Sequence, residues 1–411
     1  MAMDRAVWRR WVVGWVAVPA VAGLAVVMGC GDDEEEGPEK VAQVERACEE
    51  GIAGGELWVE REISSLGPSA NEMVSDGEGL WVVESGANRV SRFDLQEQQM
   101  ESGALDVGSE RNPYDTVIDG EGRLWVSNFL ADTVSVFDIE ERALIEEIDF
   151  EGFENPSSLA VEGGQIYVGS VNYQGSEGFG EGAVARIDGE RLEVVEEVST
   201  TFKNPHFMEV VEWGGRPHLV VSSSAGIDQS GDRVEVDGPG GIELFELDEV
   251  GEQPLSGQAY EVGQEAARVV GAPGRAWLSE ADQRLYMTSG IAPAIFVFDM
   301  AQRQWIYDAQ SPIWLFEGAD EVGDATHRAA MDDEGVLWIT AFNEDKLYLL
   351  DTACRAVLGD PIDLGKSAHM LEGSQAIEVI EGDERREVYY ARSIANVMGR
   401  LLFYPTGDDD E

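Results

Sequence analysis

The chain has 411 residues, 81 Asp plus Glu against 28 Lys plus Arg, and a formal charge of −53, which is long enough for two domains or one large repeat fold. With 43% hydrophobic residues and 11 Trp, it carries too much apolar material for an acidic disordered protein. So negative a surface repels phosphate backbones and anionic headgroups, which excludes nucleic acid as a partner and membrane attachment by charge.

Arg5, Arg9 and Arg10 precede an apolar, uncharged run from Trp11 to Met28, the charged and apolar regions of a targeting segment. A cleaved secretory signal, a membrane-spanning helix and a lipoprotein signal all begin in this way. The run ends at Val27-Met28-Gly29-Cys30, which resembles a bacterial lipobox with Val in the place usually held by Leu. That resemblance implies a signal peptide over 1–29 and lipidation at Cys30. Residues 30–54 then form an acidic tether. Gly31, where inner-membrane retention would show Asp, implies an outer-membrane lipoprotein of the cell envelope, facing periplasm or cell surface.

From residue 55 to 405 one motif returns seven times: an apolar strand containing an aromatic, then a second strand ending in an acid. The pairs are 80–83 with 90–94, 124–128 with 134–138, 166–169 with 184–188, and 219–221 with 242–246. They continue as 285–287 with 295–299, 337–339 with 347–351, and 388–390 with 401–405, the last lacking its acid. From Asp94 through Asp138, Asp188, Glu246, Asp299 and Asp351 to Pro405 the steps are 44, 50, 58, 53, 52 and 54 residues. Such steps, in segments that alternate and are rich in Val, Trp, Tyr and Phe, mark propeller blades rather than helical repeats.

Before each pair lies another apolar segment ending in a tight turn, as at Asp76-Gly77-Glu78-Gly79 and Asp119-Gly120-Glu121-Gly122. After the acid a further strand follows, as at 143–148 and 192–198. Each unit is therefore read as four antiparallel strands, A to D, and the fold as an all-β seven-bladed β-propeller. The seventh unit stops after its third strand, so the orphan strand at 56–63 is expected to complete the last blade and close the ring. Residues 406–411 are an acidic tail.

Cys48 lies just ahead of the orphan strand and Cys354 in the C–D turn of blade 6, on one face of neighbouring blades. In an exported, oxidising setting they are expected to form a disulfide, the alternative being two free thiols. The bond would close a loop of about 300 residues and contribute ~4 to 5 kcal/mol in the chain-entropy model.

The Asp-x-x-Gly-x-Leu-Trp-Val pattern at 119–126, echoed at 332–339, resembles the blade repeat of bacterial YVTN/YncE-like propellers and is similar to NHL and virginiamycin B lyase-like propellers. The resemblance covers about residues 55–405 and implies the fold. These families mix enzymes with binding scaffolds. Their lactonase-type members use Glu, Asn and Asp around calcium and their lyase-type members His and Glu. Glu72 and Asp115 stand near the expected channel, but neither motif is reproduced.

If strand A lines the channel, residues just before it ring the mouth carrying the B–C and D–A loops. Counting from the turns gives Asn71, Tyr114, Ser157, His206, Arg275, His327 and Gln375. Such a polar ring with little negative charge favours a small polar or anionic ligand, held bidentately by Arg275, or solvates a water-filled channel. His206, His327 and His369 would be a three-imidazole metal set, but Arg275 and Arg328 nearby repel a cation, so no cofactor is expected. Extra length falls at 171–182, 225–240 and 311–324, all on that face, which marks a recognition surface. There the apolar tip Ile313-Trp314-Leu315-Phe316 either anchors a partner or packs on its own blade.

The expectation is a monomeric envelope lipoprotein, held to the membrane by lipid, that binds a small ligand or an envelope protein. The alternatives are a periplasmic lyase- or lactonase-type enzyme with its site at the channel mouth, and a scaffold in an envelope complex.

Overall fold

The computed structural model describes residues 38–45, 47–48, 54–175, 178–224, 226–228, 235–248, 253–263, 272–290, 292–316, 326–341, 346–365, 374–382, 384–392 and 396–405. The side chains of 226–228, 235–237, His327, Ser374 and Gln375 are not among those described. Cys30, His369 and the acidic tail lie outside the described residues.

Alternating Val, Ile, Trp and Tyr produce strands almost throughout. Blade 1 is Ala70–Ser75, Gly79–Glu84, Arg89–Asp94 and Gln99–Asp106, hydrogen-bonded in that order. The pattern repeats through blade 6, and the inner strands of blades 2 to 6 are Pro113–Ile118, Pro156–Glu162, Pro205–Trp213, Pro273–Ser279 and Thr326–Met331. In blade 7, Ser374–Ile380, Arg386–Arg392 and Val397–Pro405 are followed by Gly55–Ser65, which pairs Leu57 with Phe403 and Val59 with Leu401. The fold is the expected seven-bladed propeller, and the two chain ends close it.

Two features were not anticipated. Glu39–Val44, within the segment assigned to the tether, is a fifth strand on the outside of blade 7, pairing Val44 with Gly55 and adding the Lys40–Glu56 ion pair at 2.6 Å. The apolar tip is the second half of a broken outer strand: Ile313–Trp314 pairs with Ala294 and Ile295 of blade 5. Leu315 is buried, and Phe316 stacks on Tyr348 of blade 6 with ring centroids 5.9 Å apart. Ile313, Trp314 and Phe316 are half-buried in the seams around blade 5, which fits the second of the two readings, packing on the blades, rather than a free partner-binding tip.

The core lies between blades. One cluster joins Trp81, Val83 and Val90 of blade 1 to Leu124, Val126 and Phe137 of blade 2, and another joins Trp125 and Val136 to Ile166 and Val168 of blade 3. Each blade buries one face against each neighbour, so a missing or displaced strand exposes two seams. Cys48 and Cys354 are joined, with Cα atoms 6.0 Å apart across 306 residues of sequence.

The recurring acids build the turns. Asp119 Oδ1 accepts the Glu121 and Arg123 N–H groups at 2.9 and 3.0 Å, while Oδ2 accepts the Trp125 indole N–H at 2.7 Å. Asp76 does the same for Glu78, Gly79 and Trp81, and Asp332 for Glu334, Val336 and Trp338. The Asp-to-Trp spacing thus encodes a clamp in which one carboxylate closes the A–B turn and satisfies a buried indole. The acid ending strand C accepts turn N–H groups at Asp94, Asp138, Asp188, Asp299 and Asp351. Four residues on, Gln98, Arg142, Leu192, Arg303 and Arg355 have φ of 53° to 57°.

Candidate functional site

The inner strands carry no backbone ladder to one another, so side chains in the channel must tie them together. The loop-bearing mouth rests on left-handed residues: Asn112, Asn155 and Asn204, with φ of 52°, 56° and 57°, each precede the Pro that opens strand A. Their carbonyls accept from Phe129, Val171 and Ser224 at the head of each B–C loop, at 3.0, 3.3 and 3.2 Å. Asn is the side-chain-bearing residue that best tolerates this conformation. The threefold Asn-Pro repeat was the signal in the sequence that could have located this device.

The proposed ring is buried: Asn71 is 6% exposed, Tyr114 4%, Ser157 1% and His206 2%. The Tyr114 hydroxyl and His206 Nε2 lie 2.7 Å apart, joining blades 2 and 4 across the channel. Burial lifts the Tyr114 hydroxyl well above the ordinary phenol range, so it stays protonated. Over Tyr114 the blade 3 loop folds back through a Tyr173–Phe179 bridge, and Phe129, Val171 and Phe179 cover the ring. Asn71 Nδ2 donates to Ser85 Oγ at 2.6 Å, and Ser85 in turn donates to the Pro113 carbonyl of blade 2. Ser157 Oγ is 3.3 Å from the Pro205 carbonyl of blade 4. His327 and Gln375 fall in the inner strands of blades 6 and 7.

Arg275 is one position deeper than the sequence count put it. Strand A of blade 5 has 7 residues where that of blade 1 has 6, so counting back from the turn skips Gly274. Matched by their bulges, Arg275, Arg328, Glu72, Asp115 and Phe207 share one level. Two residues further along, Glu209, Trp277 and Glu378 share the next.

These charges are spent on one another. Glu72 Oε2 accepts from Arg328 at 2.6 Å and from Arg275 at 3.3 Å, linking blade 1 to blades 6 and 5. Arg275 Nε also donates to Glu209 of blade 4 at 2.6 Å. The Arg328 guanidinium lies 4.9 Å from the centre of the Phe207 ring. Asp115 Oδ2 accepts the Leu159 N–H of blade 3 at 2.8 Å, and Glu378 accepts the Ser75 N–H of blade 1.

Four carboxylates, Glu72, Asp115, Glu209 and Glu378, therefore meet two guanidiniums. Arg275 is thus not free to grip an anion, and the levels just inside the mouth, unlike the ring itself, are rich in carboxylates. Burial and the neighbouring Glu72 charge push Asp115 up to about 6. Burial, with Glu72 and Glu209 adding to it, pushes Glu378 up to about 7 against the pull of Arg275. Burial opposes the charge on Arg275, yet Glu209, Glu72 and Asp115 hold its guanidinium above its ordinary value.

Among the described residues no three His, Cys, Asp or Glu side chains gather as a metal site. A cavity of about 870 Å³ opens at the other end of the channel, among the A–B hairpins of blades 4, 5 and 6. Sequence reasoning, which sought a ligand beside the long loops, passed over it.

No protein-family profile and no curated protein matches the chain in sequence. Its fold is similar to virginiamycin B lyase from Staphylococcus aureus, with 12% identity and a TM-score of 0.59 over 85% of this chain and 99% of that one. It is similar to the Kuenenia stuttgartiensis hydrazine synthase, with 16% identity and a TM-score of 0.57 over 84% of this chain and 97% of that one. The extracellular domain of a one-component system from B. thetaiotaomicron matches at 10% identity and a TM-score of 0.52, over 82% of this chain and 39% of that one. At such identities the likeness is one of fold, and what the chain shares with these proteins is the seven-bladed propeller.

Proposed function

We propose that this chain is an envelope-anchored lipoprotein whose propeller serves as a binding module through the face bearing its long loops, and that its partner is an envelope protein. The observation that carries this reading is the self-paired channel: Tyr114 with His206, and Arg275 and Arg328 with Glu72 and Glu209. A small anion would have to displace Glu72 and Glu209 from Arg275, giving up the ion pairs already formed there. A protein docking on the loops needs no such exchange. The Cys48–Cys354 bond suits an oxidising compartment, and the lipobox-like Cys30 supplies the anchor. One similar fold is the extracellular domain of a one-component system.

A lyase-type enzyme is the second reading. It is favoured by Asp115 and Glu378, whose raised values suit proton transfer, and by the fold shared with a lyase.

A photo-crosslinking residue at exposed Gln174 in the blade 3 loop, compared with one at exposed Glu140 on the opposite face, separates these readings. In intact envelopes Gln174 is expected to yield a discrete adduct and Glu140 none. Turnover by the purified protein that disappears in Asp115→Asn or Glu378→Gln would establish the enzyme instead. Labelled palmitate is expected to enter the wild type and not Cys30→Ser, and label retained in that variant would refute the anchor.

A further inference from the structure

We propose that the rim of blade 7 is the edge by which the ring faces the membrane, so that the propeller stands on that edge with its loop face turned sideways along the bilayer surface. This posture requires the lipid on Cys30 and the loop-face docking of the proposed function.

The strand Glu39–Val44 shortens the tether. As a free segment, residues 30–54 would let the propeller stand about 85 Å from a lipidated Cys30. Glu39 is already paired to Val59 of the outer strand of blade 7, and only nine links of chain separate residue 30 from residue 39. Whatever their conformation, those links span at most about 30 Å.

The strand is fixed where it lies. Lys40 holds Glu56 at 2.6 Å and Arg61 holds Glu39 at 2.6 Å. Arg61 also donates to the Asp363 carbonyl of blade 6 at 3.4 Å. Just past the strand, the Cys48–Cys354 disulfide ties the chain to the C–D turn of blade 6. A pull on the tether therefore reaches blade 7 without peeling the strand away.

Register sets the point of attachment. Val44 pairs with Gly55 and Gly55 with Pro405, at the face of the C–D turns, whereas Glu39 pairs with Val59 and Val59 with Leu401, halfway up the blade. The strand thus begins at mid-height on the outer edge, with its first residue toward the loop face. It lies four strand spacings, about 19 Å, outside the inner strand Ser374–Ile380. The outer strand of blade 3, across the ring, is a further three spacings beyond its own inner strand. The two rims are therefore more than about 33 Å apart before the channel is counted, which exceeds the tether.

Charge favours the same edge. On the two outermost strands of blade 7, Glu39, Glu56 and Glu60 each hold a base, Glu60 pairing with Arg400 at 2.5 Å. On the outer strand of blade 3, Glu193–Ser199, only Glu196 of three acids has an ion pair among the described residues, with Arg186 at 3.0 Å. The rim of blade 7 is the less repelled by headgroup phosphates. A ring lying flat on its loops would instead cover the surface that the partner needs.

The full-length lipoprotein in phosphatidylcholine vesicles containing a nickel-chelating lipid tests this posture. Nitroxide labels are placed through Ser65→Cys on blade 7 or Glu197→Cys on blade 3, both exposed positions. Relaxation by the lipid-borne nickel should be several-fold stronger at position 65 than at 197. A flexible Gly/Ser insert of about 40 residues after Glu36 should erase that difference. Equal relaxation with the native tether, or a difference that survives the insert, would overturn the posture. Intact mass of the reconstituted protein reads the anchor separately. Cys30 without lipid refutes the anchor and the posture together, whereas lipid present with equal relaxation refutes the posture alone.

Discussion

Glu378 is a half-buried acid crowded by Glu72 and Glu209, and replacing it with Gln isolates the cost of its charge. Burial pushes its carboxyl up to about 7, against 4.5 for an unperturbed Glu, which corresponds to ~3 kcal/mol. Because the folded carboxyl holds its proton to higher pH than the unfolded one, its contribution to stability is fully present below about pH 4.5. It is lost as pH rises through about 7.

Between about pH 5.5 and 8.5 the share lost is about 2 kcal/mol. Glu378→Gln presents a neutral group of the same shape to Ser75 and Arg275, so its stability should lack that fall. Urea unfolding of the wild type and variant at both pH values reads it directly. The general relief of a −53 surface on acidification is common to both proteins and cancels. The gap between variant and wild type should move by about 2 kcal/mol in the variant's favour on going from pH 5.5 to 8.5. A gap that is constant, or that moves the other way, would refute the placement of Glu378 in a charge-crowded channel.

Other substitutions probe the same framework by thermal and urea melts. Glu72→Gln leaves the buried Arg328 guanidinium without its carboxylate and should cost about 3 to 5 kcal/mol, more than a surface pair such as Arg142–Glu101, worth at most about 1. Removing the Glu72 charge should also lower the titration of Asp115 from about 6, visible as a shift of its carboxyl resonance. Asp119→Ala strands the Trp125 indole and two turn N–H groups and should cost about 2 to 3 kcal/mol, with Asp119→Asn recovering part. Cys48→Ser with Cys354→Ser should lose about 2 to 4 kcal/mol while the blades remain.

The ring itself was legible because its causes are local. Alternation makes strands, the Asp turns repeat at blade spacing, and a seventh unit missing one strand demands an early partner. Cys48 and Cys354 followed from the same topology. What was not legible depended on small offsets and on long-range contacts.

A blade 5 strand one residue longer moved Arg275 from rim to interior, and no pattern in the sequence reveals such a slip. Glu72, Asp115, Glu209 and Glu378 sit on strands up to 306 residues apart, so their meeting with Arg275 and Arg328 follows only from closure of the ring. For the Ile313–Phe316 tip the sequence left open a partner anchor or packing on its own blade, and the pairing that completes a broken outer strand is a long-range contact. The strand-end acids that mark the repeat cap the turns that follow them.

The central claim is that this propeller acts by presenting its loop face while the charges in its channel pair with one another. Hydrogen–deuterium exchange on the protein alone and with the partner captured through Gln174 tests it most directly. Slower exchange over 171–175 and 178–182, with the A–B turns at 76–79 and 119–122 unchanged, is the predicted result. Slowing confined to those turns, or to the inner strands around Glu72 and Arg328, would contradict it.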